Sequence, residues 1–121
     1  MKFLCLVCVE RPLEPAPPEE AARVYAEYVE FERSIRESGH YVASNRLGPA
    51  SDAVTVRVRN GQLSTTDGPF AETKEQIGGY FVIDAHDLND AIRIAARIPG
   101  ARRGCVEVRP VVDNSTARRA A

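Results

Sequence analysis

Gly79–Gly100, GYFVIDAHDLNDAIRIAARIPG, changes its hydrophobic period halfway along. In its first part the apolar side chains fall on both sides of an extended chain, Tyr80 and Val82 on one and Phe81 and Ile83 on the other. Such a strand is expected to be covered on both faces. Asp87 then offers an N-cap oxygen, and Leu88, Ala91, Ile92, Ala95 and Ile98 recur at helical spacing as the predicted buried face. Pro99-Gly100 is the predicted stop. A strand followed by a helix must return to its sheet, and GCVEVRPVV at 104–112 supplies the strand of return.

The amino-terminal part repeats the unit. Lys2–Val9 places Phe3, Cys5, Val7 and Val9 on one side and Leu4, Leu6 and Cys8 on the other. RPLEPAPPEE (11–20) breaks that pattern, and Pro18 suits a first helical turn, where its missing N–H costs nothing. Glu19 and Glu20 sit at the positive end of the helix dipole, with Arg33 and Arg36 near the negative end. Val24, Tyr28, Phe31 and Ile35 form the buried stripe, and Gly39 is the predicted stop. His40–Leu47 reads as a second strand ended by Gly48-Pro49. Val54, Val56 and Val58 then alternate with Thr55, Arg57 and Arg59 up to Asn60-Gly61, a hairpin signal because both turn residues tolerate positive φ. This hairpin is expected to extend the sheet.

The order strand, helix, strand plus hairpin, strand, helix, strand predicts an α+β fold. The class is ferredoxin-like βαββαβ with an extra β-hairpin and both helices on one sheet face. One domain is expected over 1–112, with DNSTARRAA (113–121) as a flexible tail. The sheet's other face keeps half the apolar residues of its strands, and a second copy is the economical cover, so a homodimer is expected.

The bulk properties narrow the function classes. With 121 residues and a net charge of −1, the chain has no long-range pull toward phosphate, which argues against nucleic acid and anionic membrane as partners. The apolar opening is too short for a signal peptide or a membrane span, so a cytoplasmic location is expected, and three cysteines agree with reduced thiols. Cys5 and Cys8 mimic a CxxC motif. In a strand they point to opposite faces, about 10 Å apart along the axis, and read as core packing rather than as a metal or redox pair.

TTDGPFAETKEQIGGYFVIDA (65–85), with MKFLCLV at the start, VTVRVRNGQ in the hairpin and IPGARRGCVEVRPV near the end, resembles the YCII-related proteins of the DGPF (DGPFAETKE) type. The resemblance runs from Met1 to about Val111 and implies a dimeric α+β barrel of ferredoxin-like subunits, with a pocket in each. It also implies an occasional association with extracytoplasmic-function sigma factors, and no settled reaction. Better-known members are credited with a histidine on the first helix and an aspartate just after the second. Here the first helix has no histidine and the second is followed by RIPGARRG, so neither partner carries over.

Asp67 begins the signature string, either as an Asx-type turn former or as a pocket acid or base. Phe70 is expected to anchor the loop in the core and, with Glu72, Thr73, Lys74 and Glu75, to belong to the ligand-binding set, the 72–75 loop serving as a lid. The carboxylates of Asp67, Glu72 and Glu75 lack a neighbouring histidine and regular spacing, and no metal is expected. His86, between Asp84 and Asp87, is a possible proton-transfer group. His40 is read either as pointing into the sheet or as exposed, Arg46 and Arg57 as guanidinium groups for an anion, and Cys105 as a thiol with no base partner. Two functions follow. One is a small-molecule binder or cofactor-independent enzyme using acid–base chemistry in a pocket walled by the DGPFAETKE segment. The other is a regulatory protein acting with a sigma factor.

Overall fold

The computed structural model describes residues 1–10, 16–71, 73 and 75–114. Strand β1 (Lys2–Glu10) leads to helix α1 (Pro18–Glu37) and strand β2 (Tyr41–Arg46), followed by the hairpin β3 (Val54–Arg59) and β4 (Gln62–Asp67). Strand β5 (Glu75–Asp84), helix α2 (Leu88–Ala95) and strand β6 (Cys105–Pro110) complete the chain. Four strands form an antiparallel sheet in the order β2-β5-β1-β6. Each helix joins two parallel strands with one antiparallel strand between them, which is the ferredoxin-like βαββαβ arrangement expected from the sequence.

The helix ends follow local chemistry. Helix α1 carries Glu19 and Glu20 in its first turn and Arg36 in its last, signs that complement the dipole. It stops in a Schellman motif: Gly39, at φ +80°, donates to the Arg36 carbonyl, and the His40 N–H reaches the Ile35 carbonyl at 2.9 Å. That φ is what calls for glycine. Helix α2 starts at Asp87, whose Oδ1 accepts from the Asp90 N–H at 2.8 Å. Its buried face differs from the predicted one. Ala91, Ile94, Ala95 and Ile98 are buried, whereas Leu88 and Ile92 are each 49% exposed. With only 8 residues, this helix takes its contact line from the strands beneath it. That line runs through 91, 94, 95 and 98, leaving Leu88 and Ile92 on the flanks.

The core lies between the sheet and the helices. Phe3, Cys5 and Val7 of β1 and Phe81 and Ile83 of β5 meet Phe31 and Ile35 of α1 and the buried face of α2. The Phe31 ring stands edge-on to Phe81 at 5.1 Å between centroids, a favoured aromatic geometry. The opposite sheet face is open, with Leu4, Leu6, Cys8, Tyr80 and Val82 half-buried along it. Cys5 and Cys8 do point to opposite faces, as their spacing predicts.

Two features depart from the sequence reading. The β1–β5 register slips between Val7 and Cys8: Val7 faces Gly79 while Cys8 faces Ile77, so Gly78 is the extra residue of a β-bulge. Beyond that bulge Glu75 and Ile77 join the open face, and Gln76 lies opposite Val9. The strand also begins at Glu75 rather than Gly79, so the end of the charged insert is strand. The second departure is the hairpin. Asn60 (φ 54°) and Gly61 (φ 75°) make the expected turn, yet β3 and β4 form a separate two-stranded sheet and do not extend the main one. After β2, the main ladder closes with the Leu47 N–H on the Gly78 carbonyl at 2.9 Å. Pro49 and the 3-10 turn Ala50–Asp52 then carry the chain away from the edge. Val54, Val56 and Val58 are left between 56% and 59% exposed. No helix among the described residues is long and apolar enough to cross a membrane.

Candidate functional site

The signature segment starts where β4 ends. Asp67 is exposed and pairs in register with Val54. The turn after it is held by the backbone and by Thr55: the Gly68 N–H (φ +97°) donates to the Ala53 carbonyl at 2.7 Å, and Thr55 Oγ1 donates to the Gly68 carbonyl at 2.8 Å. The Asp67 carboxylate is thus not what holds the turn. Phe70 does not anchor in the core, being 84% exposed; it follows a hairpin that forms its own sheet and pairs with no strand of the main one. Thr73 Oγ1 donates to the Glu75 carbonyl, and Gln76 Nε2 donates to the Thr73 carbonyl at 2.6 Å. This local clamp sets the entry into β5. Glu72 and Lys74 lie outside the described residues.

Beside that entry is a cleft of about 640 Å³ between the end of β2, the connector after it and the start of β5. Arg46, Ser51 and Gln76 supply its polar groups, and Leu47, Pro49 and Ile77 much of its apolar wall. Of the residues singled out from sequence, Arg46 lines this cleft. Asp67, Phe70, Thr73, Glu75 and His86 are not among its described lining residues. Sequence reasoning missed Ser51 and Gln76, which became site residues only through the pairing of β2 with β5.

Glu75 faces the open side of the sheet. Its Oε2 accepts from the Cys105 thiol at 3.0 Å. This bond, with lesser contributions from desolvation and from Cys8, pushes the Cys105 thiol up to about 11. The thiol thus has a carboxylate neighbour that the sequence did not show, and that neighbour holds it protonated rather than activating it. The partner comes from another strand, a contact no local motif announces.

The two histidines lie at the opposite end of the sheet. His86 has an exposed side chain, and its backbone N–H donates to Asp90 Oδ2 at 2.9 Å. His40 does not enter the sheet: its Nδ1 is 2.7 Å from Ser38 Oγ, and its Nε2 is 3.7 Å from Asp90 Oδ2. Asp90 is 8% exposed, and its Oδ1 accepts from Arg93 Nη2 at 3.1 Å. The His86 N–H bond, aided by Arg93 and His40, holds the Asp90 carboxyl below its ordinary value. Ser38, His40 and Asp90 resemble a nucleophile relay, but the backbone disfavours acyl chemistry there. The N–H groups of Ser38, Gly39 and His40 are already bound to helix carbonyls, so none of these three is available to an oxyanion, and the helix end is the negative pole. The constellation ties the α1–β2 corner to α2. Among the described residues, no trio of His, Cys, Asp and Glu is arranged to hold a metal ion.

The family model for the YCII-related domain matches residues 1–115. The chain belongs to the YCII-related family. An uncharacterised protein of Rhizobium meliloti is 38% identical over 95 residues, 77% of this chain and 77% of that one. Among solved structures, the 5-chloro-2-hydroxyhydroquinone dehydrochlorinase of Burkholderia phenoliruptrix, in complex with 2,5-dihydroxybenzoquinone, aligns with a TM-score of 0.52. The alignment covers 96% of this chain and 98% of that one at 13% identity, a likeness of fold. In this YCII-related chain, His40 and Asp90 join the end of α1 to the start of α2.

Proposed function

We propose that this YCII-related chain binds a small anionic organic molecule in the cleft at Arg46. The observation that carries the reading is the cleft's make-up: about 640 Å³, with a guanidinium, a hydroxyl and an amide set into apolar walls. Such sites hold small ligands because apolar contact supplies affinity and a few polar groups fix orientation. The end of the DGPFAETKE segment leads directly into the Gln76–Gly78 wall, which supports a role for that string in shaping the site. The quinone named with the fold neighbour is a ligand of suitable size and polarity for such a cleft.

Thermal-shift screening of hydroxylated quinones and small carboxylates tests the reading. A ligand at about a hundred times its Kd stabilises the fold by about 2.7 kcal/mol. The wild-type protein is expected to show such a shift and Arg46→Ala to lose most of it. An equal shift in both proteins, or none with any compound, would sink the proposal. A second reading, contact with a partner such as a sigma factor, is favoured by one observation: Leu63 and Phe70 stand exposed on and after the hairpin. Under that reading, Phe70→Ala abolishes co-purification with the partner while leaving ligand-induced shifts unchanged.

A further inference from the structure

The β1–β6 register sets Cys8 directly opposite Cys105. The Val111 N–H donates to the Lys2 carbonyl at 2.9 Å, which makes those two a hydrogen-bonded pair. Counting by twos along the register makes Leu4–Arg109, Leu6–Glu107 and Cys8–Cys105 hydrogen-bonded pairs as well. Cα atoms in such pairs lie about 5.5 Å apart, inside the range of about 4.4–6.8 Å that a disulfide spans. Both residues are free thiols, Cys105 exposed and Cys8 half-buried, while Cys5 is buried on the other face. The backbones are pressed together beside the pair: a Cβ added to Gly104 would lie 2.0 Å from the Cys8 carbonyl oxygen. The approach is therefore set before any bond forms.

We propose that Cys8 and Cys105 form a reversible intrachain disulfide by exchange with a small-molecule disulfide, with the Glu75 carboxylate holding the Cys105 thiol protonated at rest. Cys105 gives its proton to solvent, and the thiolate attacks one sulfur of the small disulfide. An S–S bond forms, the old one breaks, and one small thiolate leaves and takes up a proton. Cys8, deprotonated in turn, attacks the Cys105 sulfur of this mixed disulfide and releases the second small thiol. Two protein S–H bonds and one small-molecule S–S bond thus become one protein S–S bond and two small-molecule S–H bonds, and two electrons pass to the oxidant. Before reaction the same carboxylate keeps the proton on sulfur, and because the thiolate is the attacking species, the pair rests reduced. Exposed disulfides belong to the labile class, which suits a bond that is made and unmade.

The test uses the full chain, reduced and then incubated with oxidised glutathione at mildly alkaline pH. Intact mass should fall by two hydrogens, and a non-reducing digest should show the Cys8 and Cys105 peptides linked. Cys8→Ser should stop at a single glutathione adduct on Cys105. In Glu75→Gln, Cys105 should alkylate about tenfold faster near neutral pH, since removing the negative charge frees the thiolate. Adducts on both cysteines without a link, or a bond between two chains, would overturn the pairing. An unchanged or slower alkylation in Glu75→Gln would overturn the role of the carboxylate.

Discussion

Asp90 uses both carboxylate oxygens, Oδ2 for the His86 N–H and Oδ1 for Arg93, at a position almost closed to water. In the folded state its carboxyl titrates below the ordinary aspartate value, chiefly because of the His86 N–H bond. The sign follows from that direction. The contribution is complete above the unfolded-state value and disappears as pH falls through the lower folded-state one. Asp90→Asn is therefore expected to melt earlier than wild type at neutral pH. The gap between their melting curves should narrow steadily once pH drops below about 4. Gly104→Ala tests a different contact. Its methyl cannot occupy the space beside the Cys8 carbonyl without moving β6, and calorimetry should show a loss of about 1–3 kcal/mol. At this scale, legibility depended on sequence distance. The Asp87 cap and the Gly39 stop could be read because their partners lie within a turn, whereas Glu75 and Cys105 meet only after three strands have found their register.

The same division holds for whole elements. Asn60-Gly61 announced its hairpin because positive φ is a local requirement, but where the hairpin docks depends on how the chain leaves β2, which no alternation of valines encodes. Since β3 and β4 form their own sheet, damage to their turn should stay local. Gly61→Val forces a branched side chain into φ 75°, a cost of about 1–2 kcal/mol. Hydrogen exchange should then report lost protection in β3 and β4, with β1 and β5 unchanged. Helix α1 behaves oppositely because its stripe enters the shared core. Phe31→Ala removes the ring that meets Phe81 edge-on and should lower global stability by about 3–5 kcal/mol in denaturant titration. The stripe of α1 was legible over its 20 residues. The face of α2, with 8, was too short to show which of two neighbouring lines would be buried.

For the molecule as a whole, the element order determined the sheet order, because two helical crossovers returning to one sheet leave few alternatives. The cleft was less legible: Arg46 was found as a candidate, but Ser51 and Gln76 had no meaning until β2 and β5 were paired. The open sheet face supports the proposal of a homodimer, since Leu4, Leu6, Tyr80 and Val82 lie along it and a second sheet would bury them at about 25 cal/mol per Å². Sedimentation equilibrium should show a dimer for the wild-type protein and a folded monomer for Leu6→Lys. A wild-type monomer at micromolar concentration would end that proposal. Gly78 is the hinge between two phases of one strand. Were Gly78 paired as an ordinary ladder residue instead, unbroken alternation would rotate Ile77 and Glu75 beneath the helices and turn Gln76 outward. That one change of facing would take an amide from the cleft and a carboxylate from the thiol together, with the composition untouched.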